Sequence, residues 1–268
     1  MKKDLAVKQL TPVFSPRFES TKYFKNAFTL AEVLITLAII GVVAVLTIPS
    51  LISKYNEKII ITNLKKTLSE LSQAIKLSEV DNGESRFWHY NDITQTAYFV
   101  DTYIAPYFKN VKKCTNAKEC GFPCEYGWKR LDGECANESG YFYYMLNGKP
   151  AAIRVSEYDI SKNMAYVTFY IDVDGTRGES IMGKDTHTFT LFSYTHETAQ
   201  LSRELYGLHL GGICGYWGCF NQSIKNLMEH ESLGNCNINN KTLHSGKECG
   251  LVLFKNNWKV PENYPIKF

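Results

Sequence analysis

An apolar run near the N-terminus constrains the fold of this chain more than any other feature. Residues 28–48 have the sequence FTLAEVLITLAIIGVVAVLTI, and Glu32 is the one charged residue among these 21. A helix rises about 1.5 Å per residue, so a run of this length spans roughly 30 Å, the thickness of the hydrocarbon core of a bilayer. The apolar run therefore predicts a single membrane-spanning helix.

The charge distribution predicts which side of the membrane each part of the chain occupies. Residues 1–27 hold six basic and two acidic residues and carry +4, so the rest of the chain carries −1 of the formal total of +3. By the positive-inside rule, the basic arm stays in the cytoplasm and the remainder is exported. A nearly neutral exported part argues against a nucleic-acid-binding function that works through bulk charge.

Three interpretations of the apolar run are open on its composition alone. A secretory signal normally has an apolar region of about 7–15 residues, which is shorter than this run. A plain single-pass anchor has the right length but no use for a carboxylate near its start. The third interpretation is that Glu32 is functional, because an ionisable residue inside a membrane is costly unless it pairs with a partner.

The start of the apolar run resembles a known family of membrane proteins. The segment AFTLAEVLI at residues 27–35 follows a basic leader and is similar to the N-terminal motif of type IV prepilins and of type II secretion pseudopilins. Gly41 and Pro49 also lie where pilin helices commonly carry a glycine and a proline. The resemblance covers residues 22–52 and departs from the family at Ala27, where glycine is usual.

The resemblance implies how this N-terminus is processed and used. A prepilin peptidase would cleave between Ala27 and Phe28 and would N-methylate Phe28. Alanine in place of glycine predicts slower cleavage. In a filament, the new positively charged amine would pair with Glu32 of a neighbouring subunit, because neither charge is tolerated alone in an apolar environment. The alternative role for Glu32 is to complement the dipole at the N-terminus of its own helix.

An amphipathic helical segment follows the apolar run. Pro49 removes one backbone hydrogen bond and predicts a kink or a local melting of the helix. Within residues 53–82, apolar residues recur every three or four positions, which is typical of a helix with one buried face. These residues are Ile60, Leu64, Leu68, Leu71 and Ile75. The two segments together predict one helix of about 50 residues, roughly 80 Å long, which ends at Asp81-Asn82-Gly83.

The remaining residues, 83–268 and hereafter the head, predict an α+β fold. Segments rich in β-branched and aromatic residues predict strands, and Asn147-Gly148 predicts a hairpin turn. The expected elements are helices at residues 91–105 and 222–231 and strands at 140–147, 150–156, 164–173, 186–193 and 251–255. The resemblance implies the same arrangement: a pilin-like fold with a long N-terminal helix packed on an antiparallel sheet whose loops are rich in disulfides.

Four segments of the chain are expected to have separate roles. They are a basic cytoplasmic leader at residues 1–27, a transmembrane or filament-core helix at 28–52, an amphipathic helix at 53–82, and an extracytoplasmic head at 83–268.

Eight cysteines lie after the apolar run, on the side that we expect to be exported. They form two groups: Cys114, Cys120, Cys124 and Cys135, then Cys214, Cys219, Cys236 and Cys249. An even number of cysteines in an exported domain predicts disulfides, and we expect pairing mostly within each group. Zinc is the alternative, but neither group has the doubled C-x2-C spacing of a zinc knuckle.

An acidic, glycine-rich segment separates two of the predicted strands. Asp172, Asp174 and Asp185 are the candidate ligands for a calcium ion, which prefers six to eight oxygen atoms. The resemblance also implies calcium, since some pseudopilins carry a calcium loop in the head. The spacing of an EF-hand is absent, and Asp-Gly at residues 174–175 is equally typical of an ordinary turn. A structural calcium is the one cofactor that the sequence suggests.

The sequence predicts a structural protein rather than an enzyme. It contains no H-E-x-x-H, no G-x-S-x-G and no phosphate-binding loop. The resemblance implies a subunit, and the length favours a minor one, of a type IV pilus or of a type II secretion pseudopilus in the bacterial inner membrane. Its partners would be prepilin peptidase, other pilin or pseudopilin subunits, and an assembly platform with its ATPase. The alternative is a single-pass, membrane-anchored extracytoplasmic binding module that does not polymerise.

Overall fold

The computed structural model has two compact units that meet between Ile48 and Pro49. It describes residues 29–90, 93–159, 164–194, 207–212, 222–229, 236–242 and 244–268.

A single helix, α1, covers Leu30–Asn82 and crosses from the first unit into the second. Its first part contains the apolar run, whose large side chains are mostly exposed. Within the described residues, α1 is the one helix that is long and apolar enough to cross a membrane. The helix continues through Pro49, so the backbone does not melt there, and the kink at this residue stays a prediction.

The second part of α1 is amphipathic, as its spacing predicts. The residues of the predicted stripe lie in the core of the second unit, with Leu68 partly buried and the others buried: Ile60, Leu64, Leu71 and Ile75. The helix ends at Asn82, and Gly83 follows with φ of 77°. Glycine adopts this left-handed conformation without a steric penalty, so it ends the helix where the sequence predicts.

The described strands form one antiparallel sheet in which each strand lies beside its neighbour in sequence. The strands are β1 Val111–Cys114, β2 Phe142–Leu146, β3 Lys149–Asp159, β4 Met164–Asp172, β5 Thr186–Tyr194 and β6 Gly207–Leu210. The four central strands were predicted. The edge strands β1 and β6 were not, because four residues are too few for a clear alternating pattern.

The turn between β2 and β3 has the residues that its geometry requires. Asn147 and Gly148 have φ of 51° and 80°, and two positive φ angles in succession define the tight hairpin turn that matches strand twist. This confirms the predicted Asn-Gly hairpin. The backbone N–H of Asn147 also donates to the carbonyl of Asn110 at 2.8 Å, which ties the turn to the segment before β1.

Three short helices complete the described head, together with single turns of 3-10 helix. They are α2 Thr96–Tyr103, α3 Ile224–Glu229 and α4 Cys249–Lys255. The predictions of α2 and α3 are confirmed, but the strand expected at residues 251–255 is wrong because this segment is helical. Leu251, Val252 and Leu253 are all buried, and a short, continuous apolar segment does not distinguish a buried strand from a buried helix.

Both faces of the sheet are covered. Val167, Phe169 and Ile171 of β4 face the core that contains α1, while Tyr170 packs with Trp128 and Met182 in a second cluster on the other face. The Trp128 and Tyr170 rings stack with centroids 4.1 Å apart. The predicted fold class is therefore confirmed: an α+β, pilin-like arrangement of a long helix on an antiparallel sheet.

Among the described residues of the head, three disulfides connect cysteines, each within one of the two predicted groups. The bonded pairs are Cys114–Cys120, Cys124–Cys135 and Cys236–Cys249. These six sulfur atoms are therefore not ligands of zinc. Cys214 and Cys219 lie outside the described residues.

Candidate functional site

The N-terminus of α1 carries the first candidate site. The backbone N–H and the hydroxyl of Thr29 donate to Glu32 Oε2 at 2.7 and 2.8 Å, and the backbone N–H of Glu32 donates to Thr29 Oγ1 at 3.2 Å. This reciprocal pattern is a capping box, in which two side chains satisfy backbone donors that the first turn of a helix leaves free. Each such cap stabilises a helix by about 1 kcal/mol.

The capping box gives Glu32 a partner within its own chain. No role was predicted for Thr29, although a threonine three residues before a glutamate is a recognised capping signature. The predicted processing residues Ala27 and Phe28 lie outside the described residues. Cleavage, methylation and pairing between subunits therefore stay predictions at this point.

The second candidate site is the segment that joins β4 to β5, residues 173–185, hereafter the β4–β5 loop. Asp172 is the last residue of β4, and its carboxylate accepts hydrogen bonds from Ser180 Oγ at 2.5 Å and from the backbone N–H of Asp174 at 3.2 Å. Asp185, just before β5, accepts a hydrogen bond from the backbone N–H of Ile181. Asp172 and Asp185 are both buried, which is unusual for carboxylates.

The three predicted ligand residues influence one another electrostatically. Burial raises the pKa of the Asp172 carboxyl well above its usual range, and hydrogen bonding between the side chains of Asp172 and Asp174 and the charge of Asp185 add to this rise. Burial also raises the pKa of Asp185 to about 6, and the charge of Asp174 adds to this second rise. The fold therefore brings together the three carboxylates that the sequence predicted, at an electrostatic cost.

Two local features fit a cation between these carboxylates. Among the described residues, buried Asp174 Oδ1 has no hydrogen-bond partner. A Cβ atom on Gly178 would lie 2.7 Å from Asp185 Oδ2 and 3.6 Å from Asp174 Oδ2, so glycine leaves space beside both carboxylates. In the described part of the chain, however, no three acidic, histidine or cysteine side chains are already arranged as a metal centre. The calcium site therefore stays a prediction.

Comparison with known protein families identifies the class of this protein. The prokaryotic N-terminal methylation motif matches residues 24–48, the segment that contains the Thr29–Glu32 capping box. The chain is therefore a type IV prepilin-like protein, as its N-terminal sequence predicts.

The head defines a narrower family. A family of unknown function, DUF6613, matches residues 50–268, and the chain belongs to this family. The two matches meet where the structure separates its two compact units. No curated protein and no solved structure shows significant similarity to the chain.

Proposed function

We propose that this protein is a structural subunit of a type IV pilus or of a type II secretion pseudopilus. The observation that carries the proposal is the methylation motif at residues 24–48, in which Glu32 lies in the first turn of a long apolar helix. A membrane anchor alone does not require a carboxylate at this depth, because a charge in hydrocarbon is costly. A subunit whose axial position must be fixed relative to a neighbouring subunit does require a carboxylate there.

The proposed assembly step exchanges one partner of Glu32 for another. Before assembly, Thr29 donates two hydrogen bonds to the Glu32 carboxylate. After cleavage between Ala27 and Phe28, the methylated amine of a neighbouring subunit would approach this carboxylate. In an apolar environment, two opposite full charges attract each other more strongly than a carboxylate attracts a neutral donor such as Thr29, so pairing would fix the axial position of each subunit.

The proposed location and partners follow from the charges that flank the apolar run. Lys22 and Lys25 precede the run and favour a cytoplasmic leader, which prepilin peptidase would remove at the inner membrane. The disulfides of the head are typical of an oxidising, extracytoplasmic compartment. Assembly would use other pilin or pseudopilin subunits and an inner-membrane platform with its ATPase. Cleavage would leave 241 of 268 residues, a length that favours a minor subunit.

The test separates the charge of Glu32 from its capping role. Glu32→Gln keeps an acceptor for Thr29 but removes the charge, whereas Thr29→Val removes the capping hydroxyl but keeps the charge. We expect Glu32→Gln to be inserted and cleaved normally. Its amount in sheared filaments should fall at least about tenfold, because an unpaired amine would remain in the filament core. Thr29→Val should stay within about twofold of the wild type, because one cap contributes only about 1 kcal/mol.

The matched control is Glu57→Gln, which changes a carboxylate on the same helix but outside the apolar run. It should assemble as the wild type does. Normal incorporation of Glu32→Gln would contradict the pairing mechanism. A leader that remains uncut in cells with an active prepilin peptidase would instead favour the anchored, non-polymerising binding module.

A further inference from the structure

The turn before α4 carries two basic side chains that contact each other. The backbone N–H of Lys247 donates to the carbonyl of His244 at 3.2 Å and closes this turn, residues 244–248, hereafter the C-terminal turn. The closure brings the two side chains together, and Lys247 Nζ lies 2.7 Å from His244 Nδ1. Only 6% of the Lys247 side chain is exposed, so its ammonium group depends on partners in the protein rather than on water.

Lys247 holds the C-terminal turn on the sheet. Its Nζ donates to Glu138 Oε2, in the segment before β2, at 3.1 Å. The same ammonium lies 4.8 Å from the centre of the Tyr170 ring on β4, and the face of an aromatic ring attracts a cation. Arg154 of β3 approaches the other oxygen of Glu138, Oε1, at 3.6 Å. The position of the turn therefore depends on the contacts of one buried ammonium group.

The contact with Lys247 requires a neutral His244. An ammonium group only donates hydrogen bonds, so Nδ1 of His244 must accept this one and carry no proton. A protonated imidazole donates from both nitrogen atoms, and the same contact would then place two donors and two positive charges 2.7 Å apart. Protonation of His244 therefore removes one partner of Lys247 and introduces repulsion in its place.

The charges around His244 oppose its protonation. Burial lowers the pKa of His244 below its usual range, and the positive charge of Lys247 lowers it further. The carboxylate of Glu138 acts in the opposite direction, and the charge of Arg154 again lowers the pKa. Glu138 already pairs with both Lys247 and Arg154, so a proton on His244 would add a third positive charge beside its one carboxylate.

Two tyrosines and a second glutamate also lie near this contact and supply no compensating negative charge in acid. Burial raises the pKa of the Tyr141 and Tyr170 hydroxyls far above their usual range, so both stay neutral. Burial likewise raises the pKa of Glu248 well above its usual value, so this carboxyl keeps its proton. Burial also favours the neutral form of Glu138, but the charge of Lys247 and the hydrogen bond from Tyr141 lower its pKa, so Glu138 stays ionised.

The helix after the turn is held by contacts that do not titrate in this range. Cys249, the first residue of α4, is bonded to Cys236, and residues 251–253 are buried in the core. The C-terminal turn depends on polar contacts, whereas α4 depends on a disulfide and on apolar packing. The turn can therefore open while α4 stays folded.

We propose that the contact between His244, Lys247 and Glu138 is an acid-sensitive latch, which opens the C-terminal turn when His244 binds a proton. Opening moves the Lys247 ammonium away from Tyr170 and into water, while the Cys236–Cys249 disulfide keeps α4 on the core. The latch belongs to the head and does not depend on filament assembly. Its exposure to the pH outside the cytoplasm rests on the location given in the proposed function.

Hydrogen exchange of the full chain in detergent micelles measures this opening. The backbone N–H groups of Ser245, Lys247 and Cys249 donate hydrogen bonds in the turn, and mass spectrometry follows their exchange in one peptide. After correction for the intrinsic exchange rate, the open fraction should rise by about five- to thirtyfold between pH 7.5 and pH 5. The upper limit is set by a histidine in the open state with the ordinary pKa of about 6.5. An unchanged open fraction would overturn the proposal.

His244→Asn separates the charge of His244 from its contact. The side-chain oxygen of asparagine can accept from Lys247 as Nδ1 does, but it binds no proton. The open fraction of this variant should change by less than about twofold between the same pH values. His89→Asn is the matched control, because a ring nitrogen of His89 lies 2.9 Å from the hydroxyl of Tyr103 rather than beside a cation. It should keep the wild-type response, and a response that His244→Asn also keeps would overturn the assignment.

NMR titration of the imidazole keeps the test valid if His244→Asn folds poorly. We expect His244 of the wild type to titrate with a pKa below the ordinary value of about 6.5. Lys247→Gln keeps a donor for Nδ1 but removes the positive charge, so it should raise the pKa of His244. A wild-type His244 that titrates at its ordinary pKa, or one that Lys247→Gln leaves unchanged, would contradict the latch.

Discussion

Lys149, the first residue of β3, connects the sheet to the long helix through one buried ammonium group. Its Nζ donates to Thr67 Oγ1 at 2.8 Å and to Glu70 Oε2 at 2.7 Å, both on α1. The Lys149 side chain is only 11% exposed. Because a buried ammonium must be both paired and hydrogen-bonded, this contact fixes which face of α1 lies on the β2–β3 hairpin.

Replacing Lys149 therefore tests how the helix is docked. Lys149→Met should lower the free energy of unfolding by about 2 kcal/mol, because it leaves the half-buried Glu70 carboxylate without its close partner. Lys66→Met is the matched control, since Lys66 also pairs with Glu70 but at 3.9 Å and with 66% of its side chain exposed. We expect a change below about 0.5 kcal/mol for the control. Urea unfolding of the full chain in detergent measures the free energy of unfolding of both variants. An equal decrease in the two variants would contradict the docking role of Lys149.

Some residue-level features follow from local sequence, and others do not. The Asn147-Gly148 turn and the Gly83 helix end were predictable because each needs a positive φ that few residues adopt. The Thr29–Glu32 capping box was equally local, but it was missed because Glu32 was considered only as a partner for another subunit or for the helix dipole. The Lys149–Glu70 contact joins residues 79 apart in sequence, and no local pattern indicates it.

Among the elements, the β4–β5 loop should make the stability of the head depend on pH. An unfolded aspartate has a pKa of about 3.9. In the folded protein, burial raises the pKa of Asp185 to about 6 and that of Asp172 further. The folded state therefore binds more protons than the unfolded state from about pH 4 upward, so this contribution to stability falls as the pH rises through 6 and above.

The measurement is the free energy of unfolding in EDTA at several pH values between 5 and 8. The contribution of each carboxyl is at most about 1.4 kcal/mol per pH unit. Asp172→Asn removes one of the two groups with a raised pKa, so its stability should fall less steeply with pH than that of the wild type. Parallel curves for the two proteins would contradict the assignment of the pH dependence to this loop.

The prediction of elements succeeded where periodicity was long and failed where it was short. The apolar stripe of α1 continues over more than four turns, and β4 and β5 each have nine residues, so both signals were clear. The segment at residues 251–255 was predicted as a strand and is part of α4, because its helical state depends on packing against the sheet. Asp172, Asp174 and Asp185 lie at the ends of one short connection between neighbouring strands, so their proximity in space follows from the sequence, whereas their role as ligands stays a prediction.

On the scale of the whole molecule, two compact units that match different family models are joined in one chain. The first carries the methylation motif and the apolar half of α1, and the second is the DUF6613 head. The N-terminal motif was informative because it matches a known family pattern over residues 24–48. We found no comparable motif in the part of the head that the structure describes, so the sequence predicts the fold of the head but not its binding partner.

The most direct test of the filament-subunit account is mass spectrometry of the N-terminal peptide of the membrane-bound protein. We expect this peptide to begin with N-methylated Phe28 in cells that contain an active prepilin peptidase. A peptide that still begins with the basic leader in the same cells would contradict the account, because an unprocessed subunit has no amine beside the apolar run to pair with Glu32.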